Sequence, residues 1–539
     1  LSKKPSESRY GSFPWVLIGS KPCCVIPWWR KCILILLSFL SLSAYGQDEK
    51  EKIRILNADK FYFNEKESRA RVLEGNVQIA HGEAIMYCNK AYLFEEDNVA
   101  DAVGRVHINM GDTLNLYGDS LHYDGRDDYA SVRGNIRLVD REMTLVTDTL
   151  DYDMEEKTAV YRGGGVITST ENDMRLTSKT GIYHSETRRM KFQDSVRLES
   201  EDFDIEADTL YYSNSTELVE FTGPTYISTD STTIYCEDGW YSLPDEESIF
   251  QGPAQITSGT REIVADTIHY FQQTGFAELF NHISIIDTAE SLELYGHFGT
   301  YEQKSDQAMI TDSALFIQRF DDDELHLHAD TLRSDYDSIA DTRTLYAFYS
   351  VRFYKNDIQG TADSLVYAES DSLLELFGDP ILWNEDNQLS ADTIRIRTYD
   401  GAIQRLYLQN ASFIISKADT TGYNQIKGRD MEGFFTDNKL SKVVVTGNGQ
   451  TIYYAGEEGK EKIGLNRADC SDILIYLEED AISTISFITE PESVLLPMNQ
   501  ITTEDEFLKD FHWDEHLRPN GPEDLFHTRA SPTAEIPEP

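Results

Sequence analysis

Basic residues are scarce in this chain: 48 Lys and Arg stand against 94 Asp and Glu, a formal net charge of −46. A face that holds nucleic-acid phosphates needs the opposite balance, so nucleic acid is excluded as a partner, and the acidic exterior favours solubility. Cysteine is scarce as well. Cys23, Cys24 and Cys32 lie near the start, and only Cys88, Cys236 and Cys470 follow, an odd number set far apart. That is neither a disulfide framework nor zinc-ligand spacing, and the three read as small strand residues. Helical periodicity is nearly absent, and no apolar run is long enough to cross a bilayer comfortably as a helix.

What the chain has in quantity is aromatic and apolar residues. With 30 Tyr, 25 Phe and 40% hydrophobic residues it is too rich in core formers to be disordered, despite its charge. Residues 1–46 read as a leader with a secretory signal: Arg30 and Lys31, an apolar run from Cys32 to Leu40, then Ala44-Tyr45-Gly46 before Gln47. Cleavage is expected after Gly46, which places the mature chain in the periplasm, with an association to the outer membrane also compatible.

Beyond the leader two short signatures alternate. One is Asp-Ser/Thr-Leu/Ile-x-Tyr, as in Asp119-Ser120-Leu121-His122-Tyr123, Asp148-Thr149-Leu150-Asp151-Tyr152, Asp208-Thr209-Leu210-Tyr211-Tyr212 and Asp266-Thr267-Ile268-His269-Tyr270. The other is Gly75-Asn76-Val77-Gln78-Ile79, Gly104-Arg105-Val106-His107-Ile108 and Gly134-Asn135-Ile136-Arg137-Leu138. Each returns about every 29 to 31 residues, the mark of units that bury their apolar faces only by stacking on their neighbours. Apolar and polar residues alternate with the period of a half-buried strand. The reading is an all-β array of two to four short strands per unit, with Gly and Asn supplying tight turns between strands and the Asp-Ser/Thr pair shaping strand entrances. The expected division is 47–315 for regular repeats, 316–498 for looser ones, and 499–539 for a polar C-terminal tail with Phe507, Phe511 and Trp513 as apolar anchors.

Candidate chemistry is sparse. One Asp per repeat, followed by a hydroxyl, is not the nonapeptide spacing of calcium solenoids, so no metal or other cofactor is expected. His107, His122, His269, His326 and His328 alternate with apolar neighbours as outward strand residues, and no copy carries an irregular catalytic cluster. The apolar positions are the candidate site: Val77, Ile79, Val106, Ile108, Ile136, Leu138, Leu150, Tyr152, Val196, Leu198, Leu210 and Tyr212 share faces that stacking turns into a continuous wall. Whether that wall is sealed core or the lining of a trough stays open at this point.

The run Val72-Leu73-Glu74-Gly75-Asn76-Val77, continuing through Ile79, Gly82 and Ile85 to Tyr87 and Ala91-Tyr92-Leu93, resembles the lipopolysaccharide-transport periplasmic protein family (LptA/OstA-like), and the Gly134 and Asp148 units match it too. Resemblance over roughly residues 53–490 implies a repetitive antiparallel β-jelly-roll without a transmembrane barrel. It further implies a non-enzymatic carrier or bridge whose interior shields lipopolysaccharide acyl chains. Partners would be lipopolysaccharide itself and other bridge proteins, or copies of this chain end to end, joined through sheet edges near Ile53–Phe63 and Ile473–Phe487. Two other classes compete: an extracellular β-solenoid that binds or cleaves polysaccharide, and a ligand-free scaffold.

Overall fold

The computed structural model describes residues 54–526 except 64–68, 82–83, 111–113, 140–142, 170–173, 185, 188, 202, 214, 243, 290, 303, 306, 321–322, 341, 400–401, 419–421, 437–438, 457–461 and 479–480. The leader, its expected cleavage site and residues 527–539 lie outside the described residues. Those described fall into two compact units. One runs from Arg54 to Ala277 without Thr260–Ile263; the other comprises Thr260–Ile263 and the chain from Glu278.

In the first unit each repeat is two antiparallel strands, and from Arg71–His81 to Glu247–Ser258 each strand pairs with the next. Tyr129–Val139, for example, lies between Leu114–Asp124 and Met143–Asp153. Strands such as Arg71–His81, Val99–Met110 and Thr158–Ser169 hold 11 or 12 residues, longer than the short strands expected.

The Gly-Asn signature sits in the middle of a strand, not in a turn between strands. Gly75 and Asn76 have φ of 80° and 44°, and Gly134 and Asn135 have 77° and 44°, both pairs inside continuous strands. The register with the neighbouring strand shifts at the same point, between Glu74 and Val77 and between Arg133 and Ile136. Two successive left-handed residues bend the strand. Glycine adopts that conformation freely and asparagine more readily than other side chains, which explains the pair. The chain folds over at this corner, so the two halves of each strand belong to two walls. Leu73 before one corner and Val77 and Ile79 after it enter the same buried cluster, as do Val132, Ile136 and Leu138 at another.

The Asp of the other signature does not mark a strand entrance. Asp119 is central in Leu114–Asp124, opposite the corner of the next strand, where its Oδ2 accepts a hydrogen bond from Asn135 Nδ2 at 2.7 Å. Asp59 repeats the arrangement, accepting from Asn76 Nδ2 at 3.0 Å while its own backbone N–H donates to the Gly75 carbonyl at 2.9 Å. The connecting turns are elsewhere, at 95–98, 125–128 and 154–157, each ending on one left-handed residue, Asn98, Asp128 or Lys157.

In the second unit the strands lengthen, to 14 residues in Glu324–Asp337, 16 in Ala402–Lys417 and 17 in Lys439–Ala455, which accounts for the looser spacing of the sequence repeat. Residues 499–526 lie along one wall. Ile414 and Ile426 face the interior cluster, whereas the alternate residues Phe413 and Ile415 pack outward with Leu508 beside Phe511 and Trp513. Two glutamines grip this segment by its backbone. Gln425 Nε2 donates to the Glu506 carbonyl at 2.8 Å and its Oε1 accepts from Leu508 N–H at 2.9 Å; Gln388 does the same with His512 and Asp514 at 2.9 and 2.8 Å. His328 faces outward as expected but is buried, its ring 4.5 Å from that of Phe526 and its Nδ1 2.9 Å from the Ala314 carbonyl.

Candidate apolar slot

The corner sets the packing of the interior. In each repeat of the first unit the residue two positions before the corner pair and the residue just after it both point inward. Their sizes complement one another: Ala102 with Val106, Val132 with Ile136, Tyr161 with Gly165, Phe221 with Thr225, Phe250 with Ala254. Interiors pack to crystal-like density, so a large partner on one side requires a small one on the other. The sequence-predicted residues Val77, Val106, Ile136 and Val196 all occupy the position after the corner, and all are buried. They form the closed apex of the interior.

Two residues further along the same wall stand Ile79, Ile108, Leu138 and Leu198, and facing them on the other wall are Leu150, Tyr152, Leu210 and Tyr212. The structure thus brings all twelve candidates to one interior, in four rows. They are not equally covered. Leu210 and Tyr212 are 0% and 1% exposed and Leu198 2%, whereas Ile108, Leu150 and Tyr152 are only half-buried. Leu121, Tyr123, Ala130, Ala159 and Ile167, in the strands beside these three, are half-buried too. These residues line an apolar slot between the walls in the region of Val99–Ser169.

Side-chain size on the back wall explains where the slot lies. Two residues before each inward residue of the corner the chain has Ala100, Ala130 and Ala159, and then Met190 and Val219. Where this row is alanine the rows around it keep solvent contact. Where it is Met190 or Val219 beside Phe192 or Phe221, every residue of these rows is buried. The alanine row and the Tyr161 and Met190 boundary do not stand out in a hydropathy pattern, because alanine and phenylalanine both count as apolar; the size rhythm about the corner is the signal that exposes them.

No charged side chain belongs to these inward rows. The phenols near them are held neutral: burial pushes the Tyr212 hydroxyl up to about 12, with Glu217 adding to the shift, and burial raises Tyr123 and Tyr161 as well. Burial also pushes the Cys88 and Cys236 thiols up, to about 11 and about 12, which makes them poor nucleophiles. Ionic groups lie outside, as where Arg133 and Arg162 both reach Asp151, at 2.5 and 3.1 Å. Among the described residues no group of three His, Cys, Asp or Glu side chains is placed to hold a metal ion, and no helix is long and apolar enough to cross a membrane.

Residues 50–208 match the family model of OstA-like proteins, and residues 233–402 match that of the LptA/(LptD N-terminal domain) LPS transport proteins. Together the two matches take in more than half of the chain. It belongs to the OstA-like lipopolysaccharide-transport family. No curated protein matches this OstA-like chain significantly. Among solved structures it is similar to LptH, the LptA-homologous periplasmic component of the lipopolysaccharide transport device of Pseudomonas aeruginosa. The identity is 16%, over 20% of this chain and 81% of that one, with a TM-score of 0.19, and the family assignment does not lean on it.

The strands at either extreme of the OstA-like array are bare. Arg54–Asn57 and Lys60–Phe63 pair only with Arg71–His81 among the described residues, and Ile55, Leu56, Phe61 and Phe63 are exposed. Ala481–Ile488 and Glu492–Pro497 pair only with Gly464–Glu478 among the described residues, with Ile488, Val494 and Leu495 exposed.

Proposed function

We propose that this chain carries lipopolysaccharide through the periplasm, without catalysing a reaction, and that the slot shields the lipid's acyl chains from water. The half-buried apolar rows of Val99–Ser169 support this reading: they form an uncharged interior that is incompletely filled by the protein's own side chains. Each methylene moved from water into such a site contributes about 0.8 kcal/mol, so a multi-acyl lipid is held without any dedicated polar contact. The bare strands at the extremes are the docking edges, where another bridge protein or a second copy adds a strand through main-chain hydrogen bonds.

Depletion of the protein in its native cell tests the reading. Newly made lipopolysaccharide should then accumulate at the inner membrane while other outer-membrane components arrive normally. Undiminished delivery to the surface would overturn it. A polysaccharide-binding role draws no support from the interior, whose rows offer apolar side chains in place of the polar groups that sugar hydroxyls require.

A further inference from the structure

Resting on the acyl-shielding reading, we propose that the slot is a blind compartment, closed on one side by Tyr161, Met190 and Phe192, and not a through-channel along the array. The Tyr161 ring crosses the inside of its corner. An added Cβ at Gly165, after the corner, would stand 2.4 Å from the ring, and one at Gly181, the cross-strand partner of Tyr161, 2.2 Å. Both glycines leave room for the ring, and the Tyr161 hydroxyl is tied to Ser178 Oγ at 2.6 Å. Tyr161 is therefore fixed across both walls, 4% exposed.

On the next corner-bearing strand, Arg189–Glu199, Met190 and Phe192 fill the places that Ala130 and Val132 hold two such strands earlier. Phe192 is paired with Leu210 on the strand beyond, and Met190 with Tyr212, so the two new side chains cover the rows that stay half-buried at Leu150 and Tyr152. At interior packing density no acyl chain fits beside them. The slot holds chains on the Leu150 side of this wall and excludes them from the Leu210 side.

Tyr152 and Tyr212 are equivalent positions of the repeat on the two sides. Replacing each in turn with the photoreactive residue p-azidophenylalanine, close to tyrosine in size, in the full chain incubated with purified lipopolysaccharide, tests the proposal. Crosslinking is expected at 152 and about tenfold less at 212. The double variant Met190→Ala, Phe192→Ala should raise crosslinking at 212 towards the level at 152. Equal crosslinking at both positions in the otherwise native chain, or no gain at 212 in a folded double variant, overturns the blind end. Should the double variant not fold, Ala159→Phe narrows the slot instead: crosslinking at 152 should fall about tenfold, and an unchanged signal overturns the proposal. Absence of crosslinking at both 152 and 212 in the native chain would instead sink the acyl-shielding reading.

Discussion

Tyr161 lies with its ring over Gly165, four residues further along the chain and on the other side of the bend, so that one residue's bulk is the other's absence. The same exchange recurs at Phe221 with Thr225 and Phe250 with Ala254, so at these corners the two positions share one interior space. Gly165→Val should therefore destabilise the first unit by about 1–3 kcal/mol through overpacking. Tyr161→Val combined with Gly165→Ile, which copies Val132 and Ile136, should recover most of the loss. Thermal melts of the two variants and the double variant decide the matter; if the double variant melts no higher than Gly165→Val, the two positions do not share one space.

At the corner itself Asp119 and Asn135 hold the bend. Asp119→Ala removes the acceptor of a hydrogen bond at an exposed site and should cost about 0.5–1.5 kcal/mol. Gly134→Ala should cost more than Asp119→Ala, because Gly134 has φ of 77° and a Cβ there would stand 2.5 Å from Asp119 Oδ2. The order of the two apparent melting temperatures is the readout. A Gly134→Ala variant as stable as the native chain would show that the corner needs no left-handed residue at that position.

The C-terminal segment covers an apolar strip that includes Phe413, Ile415, Ile452 and Leu465. Gln425 is 0% exposed and satisfies both the Glu506 carbonyl and the Leu508 N–H. Gln425→Leu leaves both backbone groups buried without partners, at about 1–3 kcal/mol each by the ordinary desolvation penalty. Hydrogen exchange at the Leu508 amide should accelerate and proteolysis within 504–518 should appear, while exchange in the first unit stays as it was. Unchanged protection at Leu508 would mean that the apolar anchors alone hold the segment.

Much of the fold was legible because the repeat, the strand alternation and the shared apolar face are all carried by single residues in fixed places. The corners were misread for a physical reason. Two successive residues with positive φ, as in Gly75-Asn76, are also the signature of a two-residue hairpin turn, so local sequence reads as a reversal between two short strands what is a bend within one long strand. Once that position is mistaken for a turn, Asp119 and Asp148 fall at strand ends instead of facing the neighbouring corner. The twelve candidate residues converge because the period of two holds on both sides of the bend. The division between filled and half-open rows was hidden, since it depends on whether Ala130 or Met190 stands opposite, a difference of volume and not of hydropathy.

His328 gives the second unit a defined response to acid. Burial holds its imidazole below the usual histidine range, and the Arg352 guanidinium on the paired strand pushes the same way. The Ala314 carbonyl and Asp330 act against this without overcoming it. The folded state therefore binds the proton less readily than the unfolded state. Stability from the neutral ring is complete above the unfolded value, about 6.5, and declines as pH falls below it towards the lower folded value. The ring lies against Phe526, so the end of the C-terminal segment should loosen first. Proteolysis of the segment near Phe526 is expected to speed up between about pH 6.5 and pH 5 in the native chain, and His328→Gln, which cannot take up the proton, should flatten that dependence. An equally steep acid response in His328→Gln would show that this imidazole does not carry it.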